Sequence, residues 1–188
     1  MGGAMENDKS IPWTKLHKDI VRYKQNFSLT SSAQLMVTIT FWPVFLLRLE
    51  EYEQLSTGLI KKILRFFLLF FRVFVRCASG IEIYYGAKIG GGLLLPGLSG
   101  VGITDTAIIG ENCTIHSCVR VGHRGDGKDL GAPVIGDNVT LMLGSKIIGP
   151  IKIGDNAVVG ANAVVLQDVP ASAIAVGVPA VIKMKRAN

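Results

Sequence analysis

From Ile135 onward an aliphatic side chain returns at every sixth position, at Ile135, Leu141, Ile147, Ile153, Val159 and Val165. Upstream the same spacing links Ile89 to Leu95 and runs through Ile103, Ile109, Ile115 and Val121. The register slips twice: Leu95 to Ile103 spans eight positions, and Val121 to Ile135 spans fourteen. A period of six is neither the helical repeat of about 3.6 nor the two-residue alternation of a sandwich strand. Short strands joined by tight turns satisfy it, each strand sending one aliphatic side chain inward. The phrases IGENCTIHSC, IGDNVTLMLG and IGDNAVVGAN are near copies. Their pairs Glu111-Asn112, Asp137-Asn138 and Asp155-Asn156 stand where the turns fall, and Asn and Asp tolerate left-handed backbone there. The spacing predicts a parallel β-helix of three hexads, about 18 residues, per coil. Two extra residues sit near Pro96–Gly102, and a loop leaves the solenoid between Val121 and Ile135.

Composition divides the chain at the same place. All 14 aromatic residues lie at or before Tyr85, and 18 of 22 glycines lie after residue 80. A narrow solenoid interior has no room for aromatic rings, so this shift marks a boundary at Ser79-Gly80. We read residues 1–80 as a helical segment that docks or trimerises, and 81–188 as the β-helix. The net charge of +6 divides too: residues 1–80 carry 11 basic and 6 acidic side chains, net +5, and residues 81–188 carry 9 and 8, net +1. Basic residues that adjoin Phe and Leu, with no recognition motif, do not describe a nucleic-acid surface. Cys77, Cys113 and Cys118 form neither a disulfide framework nor a metal-ligand spacing, and are expected as free thiols, Cys113 and Cys118 buried. No metal is expected. The polar N-terminus and sparse cysteines point to a cytoplasmic location.

Two N-terminal stretches are strongly apolar. Leu35–Leu47 is short and contains Pro43. Thr57–Arg76 reads as an amphipathic helix with Lys61, Arg65, Arg72 and Arg76 on one stripe. Neither is an unbroken apolar run of the ~20 residues that span a bilayer. Two readings stand for residues 57–76: packing on the β-helix or on sister subunits, and peripheral contact with the inner membrane surface.

The segment from Ile81 to Lys185 resembles the hexapeptide-repeat acyltransferases. The resemblance is carried by IEIYYGAKIGGGLLL, by AIIGENCTIHSCVRVG, by the fourteen-residue step and by the ending GANAVVLQDVPASAIAVGVPAVI. Within that family it is most similar to serine acetyltransferase and its polysaccharide-modifying relatives. The resemblance implies a mainly β fold, a left-handed parallel β-helix with an N-terminal α-helical extension. It also implies a homotrimer and acetyl-CoA as acyl donor.

Acyl transfer to a hydroxyl needs a general base and donors for the oxyanion. Of three histidines, His17 lies in the polar N-terminal segment and reads as a surface residue. In serine acetyltransferases an Asp-His pair follows the first apolar coil and an Arg-His-Pro follows the loop. Here those positions read Pro96-Gly97 and Gly131-Ala132-Pro133, while Glu82 stands for the acidic partner. Two histidines can replace the missing base. His123 opens the loop in VGHRGDGKDLGAP, with Asp126 to orient it and Arg124 to meet an anionic acceptor. His116 is placed by the hexads one coil above Pro96. For acetyl-CoA the resemblance implies a groove between subunits, formed by Gly144, Ser145, Gly160, Ala161, Ala163, Gly177 and Pro179, with Lys183 and Lys185 near the nucleotide phosphates. The expected activity is O-acetylation of a sugar hydroxyl in a polysaccharide or glycolipid precursor. The alternatives are a serine O-acetyltransferase with a displaced base, and a binding subunit without catalysis.

Overall fold

A computed structural model describes residues 11–124 and 131–184. Four helices come first: α1 (Ile11–Phe27), α2 (Ser32–Val37), α3 (Trp42–Leu55) and α4 (Gly58–Ser79), with a 3-10 turn at Ile39–Phe41. Pro43 sits in the first turn of α3, where its missing N–H costs nothing. This breaks the apolar stretch Leu35–Leu47 over three elements. Gly80 ends α4 at φ 65°, a left-handed cap that glycine adopts without steric cost, and its N–H donates to the Arg76 carbonyl.

The remainder winds as a three-faced solenoid. One face stacks β1 (Glu82–Ile83), β3 (Gly102–Ile103), β6 (Arg120–Gly122), β9 (Lys146–Ile148) and β12 (Val164–Val165). The second stacks β2 (Lys88–Ile89), β4 (Ile108–Ile109), β7 (Val134–Ile135) and β10 (Lys152–Ile153). The third stacks β5 (Thr114–Ile115), β8 (Thr140–Leu141), β11 (Val158–Val159), β13 (Ala173–Val176) and β14 (Val181–Met184). Every pairing is parallel except that of β13 with β14.

The twelve aliphatic positions of the six-residue register are all at most 2% exposed, so the period is the core. Asn112, Asn138 and Asn156 take positive φ, as the turn pattern predicts, and Asn162 does the same. Carboxylates join successive turns: Asp137 Oδ1 accepts from the Glu111 N–H at 2.7 Å, and Asp155 Oδ1 from the Asp137 N–H at 2.8 Å. The slip after Leu95 is absorbed by left-handed Ser99 and Gly100, whose N–H groups donate to the Ser79 and Gly80 carbonyls.

The helices close one end of the solenoid and share its core. Leu16, Tyr23, Phe41, Val44 and Leu47 pack into one apolar cluster with Ile81, Ile89 and Leu95. Arg48 and Asp19 form a fully buried ion pair at 2.8 Å. Arg48 also donates to the carbonyls of Ile89 and Gly90, while Asp19 Oδ1 accepts the Leu93 N–H. Backbone groups at the solenoid's end thus receive the partners that another coil would give. Burial lifts the Asp19 carboxyl above its ordinary range, against the pull of Arg48.

The basic stripe of α4 is not a free surface: Arg72 pairs with Glu50 at 2.7 Å, Arg76 with Glu82 at 2.8 Å and Arg65 with Glu53 at 3.4 Å. Of the two thiols expected to be buried, only Cys113 is. Burial pushes it up to about 11, whereas Cys77 and Cys118 are exposed. Cys118 stands at a corner with φ 60°, which turns its side chain outward.

Candidate acyl-transfer site

The two candidate histidines occupy different corners of the prism. His116 follows β5 on the corner between the third and first faces. Leu94 pairs with Thr114, so His116 lies one coil above Pro96, and Ser117 above Gly97. A Cβ built on Gly97 would overlap the Ser117 hydroxyl. The imidazole of His116 is half-buried and has no hydrogen-bond partner among the described residues. Beside this corner a groove of about 450 Å³ opens, lined by Phe27, Val37, Thr38, Ile39, Thr40, Pro96 and Leu98.

His123 follows β6 on the corner between the first and second faces. Ile103 pairs with Val121, so Asp105 and His123 share one level of adjacent coils. Nε2 lies 2.7 Å from Thr104 Oγ1, 3.4 Å from Thr106 Oγ1 and 3.7 Å from Asp105 Oδ1. The Thr104 hydroxyl donates to Asp105 Oδ1 at 3.2 Å. A hydroxyl has one proton, so Thr104 accepts from Nε2–H, and the lone pair remains on Nδ1. Nδ1 is buried and has no hydrogen-bond partner among the described residues. The carboxylate beside His123 is therefore Asp105, which sequence reasoning missed. The eighteen-residue step from 105 to 123, three hexads, was the signal for it. Asp126 lies outside the described residues. Arg124 is exposed and has no ion pair among the described residues.

The other candidates divide by access. Ser145 and Ala163 are fully buried, and their backbone groups bond within the coils, so their side chains offer no contact surface. Gly144, at φ 73°, lies against Asn162, where a Cβ would overlap Oδ1. Ala161 is exposed on the same corner, and Gly160 is half-buried behind it. Gly177 and Pro179 form the exposed turn between β13 and β14, and Lys183 is exposed on β14. Lys185 lies outside the described residues. Glu82 is held by Arg76, and the Arg120 guanidinium lies over Gly102, beside Glu82 on the first face. Among the described residues no cluster of His, Cys, Asp or Glu could hold a metal ion.

A model of the family described as "Bacterial transferase hexapeptide (six repeats)" matches residues 132–167. A serine acetyltransferase of Staphylococcus epidermidis is 49% identical over 104 residues, 55% of this chain and 49% of that protein. The chain spans about half the length of the curated relatives it matches. Soybean serine acetyltransferase, solved as the apoenzyme, is 30% identical, with a TM-score of 0.76 over 96% of this chain and 72% of that one. The chain belongs to the hexapeptide-repeat transferases. Its solenoid is thus the family's left-handed parallel β-helix, with an N-terminal helical extension. A serine acetyltransferase solved in complex with CoA is 25% identical, with a TM-score of 0.73 over 95% of this chain and 72% of that one.

Against the serine acetyltransferase pattern that the resemblance implies, this hexapeptide-repeat transferase reads differently at particular residues. Position 97 is glycine, and the loop returns through Gly131-Ala132-Pro133. The imidazole that retains a carboxylate neighbour sits instead at position 123, across the first face.

Proposed function

We propose that this chain is an acetyl-CoA-dependent O-acetyltransferase of the serine acetyltransferase kind, acting as a trimer, with its base displaced to His123. The observation that carries the reading is the likeness in fold, over 95% of the chain, to a serine acetyltransferase solved with CoA. Acetyl-CoA lies along the groove between neighbouring β-helices, against Ala161, the Gly177–Pro179 turn and Lys183. At rest Asp105, through Thr104, keeps the proton on Nε2 of His123; once the ring has turned outward, the acceptor hydroxyl gives its proton to Nδ1. Nδ1 is enclosed at rest, so the ring swings out of its Thr104 contact to meet the acceptor. The freed oxygen forms a bond to the thioester carbon, and backbone N–H groups hold the oxyanion. The C–S bond then breaks, and the CoA sulfur leaves with the proton from His123.

The relatives favour serine as acceptor. Gly97 and Ala132 favour a second reading, because the histidines expected at those positions are absent; in that reading the acceptor is a sugar hydroxyl. Thiol release from acetyl-CoA, with L-serine and with a panel of sugars, separates the two. We expect turnover of L-serine, reduced roughly 10²–10⁴-fold by His123→Ala and little changed by His116→Ala. Turnover of a sugar alone moves the protein to the second reading. CoA binding without thiol release from any acceptor would make it a binding subunit.

A further inference from the structure

Helix α4 presents its apolar side to solvent. At about 100° per residue, Ile63, Phe66, Phe67, Phe70, Val73 and Phe74 fall within one half of its circumference. Each is 59–68% exposed, whereas Leu68 and Val75, on the opposite side, are buried with Leu46 of α3. At ~150–250 Å² per aromatic side chain, this face exceeds the roughly 300–600 Å² of an ordinary monomer's largest apolar patch. The helix also carries Lys61, Lys62, Arg65, Arg72 and Arg76 and no acidic residue. The three arginines reach carboxylates yet keep 45–68% of their side chains exposed. Lys61 and Lys62 have no ion pair among the described residues.

We propose that α4 lies flat on an anionic lipid surface, with Phe66, Phe70 and Phe74 sunk among the acyl chains, Lys62 on the flank of that face at the phosphates, and the other basic residues of the helix adding to the positive field. The inference is independent of the catalytic reading. Charge complementarity selects lipid over a second copy of the chain. Lys62 borders the apolar face, between Leu69 and Val73 on the helical wheel. A two-fold helix pair would bring together two helices that each carry five basic residues and no acidic one. On a lipid surface the aliphatic stem of Lys62 lies along the apolar face while its ammonium rises to the headgroups. Among the described residues no helix is long and apolar enough to cross a membrane, so α4 lies on the surface rather than through it.

The test is sedimentation of the full chain with vesicles of phosphatidylglycerol and phosphatidylcholine in equal parts, and of phosphatidylcholine alone. We expect binding to the anionic vesicles that is about tenfold or more tighter and weakens with salt. Phe66→Ser with Phe70→Ser should reduce it at least about tenfold, with circular dichroism and melting temperature unchanged. If that double variant precipitates, Phe70→Ser alone decides in the same assay. Lys61→Gln with Lys62→Gln should weaken anionic binding and flatten its salt dependence. Failure to sediment with either vesicle, or equal binding to both, overturns the proposal. So does light scattering in which the phenylalanine variants fall to a smaller oligomer, since another copy would then cover the face.

Discussion

Gly97 stands where the serine acetyltransferase pattern implies a histidine, and its surroundings say how easily one could be accommodated. A Cβ there meets first the Ser117 hydroxyl, the end of a short side chain that can rotate aside, and the next contact is an ordinary 3.5 Å. Gly97→His therefore places an imidazole one coil below Ser117, beside His116, with little strain. With L-serine as acceptor, we expect kcat/KM to rise about tenfold or more in the thiol-release assay, with no gain for a sugar. Unchanged serine turnover would show that the corner no longer takes part. The sequence made the twelve core aliphatics legible because one inward residue per hexad leaves a period that neither a helix nor a sandwich strand shares. Asp105 was harder to see. Reasoning outward from His123 along the chain reaches Asp126, whereas the nearby carboxylate belongs to the coil below.

Among the elements, α1 and α3 depend on Arg48 more than on any other polar group. Its guanidinium is fully buried and is shared by Asp19, Glu51 and two carbonyls of the first coil. Arg48→Ala leaves the Asp19 carboxyl buried with no opposite charge beside it. The expected cost is about 3–5 kcal/mol, read as a lower midpoint in urea. Replacing Arg48 and Asp19 together by Met and Leu should recover part of it. The helical character of residues 57–76 was legible, but the orientation of that helix was not. Apolar side chains occupy most of its circumference, so periodicity alone could not choose the buried face. Glu50 and Glu53 of α3 and Glu82 of β1 make the choice, by drawing the arginine stripe beside them.

At the scale of the whole molecule, the helices act as the plug of an otherwise open stack. Residues 81–188 alone would expose Ile81, Ile89, Leu93 and Leu95, which the helices now cover. We expect that fragment to aggregate or to melt well below the full chain, as followed by circular dichroism and light scattering. A fragment as stable as the parent would show that the coils fold without the plug. The division of the chain at Ser79-Gly80 was legible from where aromatics end and glycines begin. That the two parts share one core was not, because nothing in the hexad pattern marks which coil is covered. The far end is closed differently. β14 runs against the direction of the strand beside it, through Lys183 and Met184. A further coil wound in the same sense would bring a strand antiparallel to β14, which the other ladders of the solenoid never use. On that face the reversed strand is a full stop written in backbone geometry: the parallel ladder ends at β13, and the edge beyond it runs the other way.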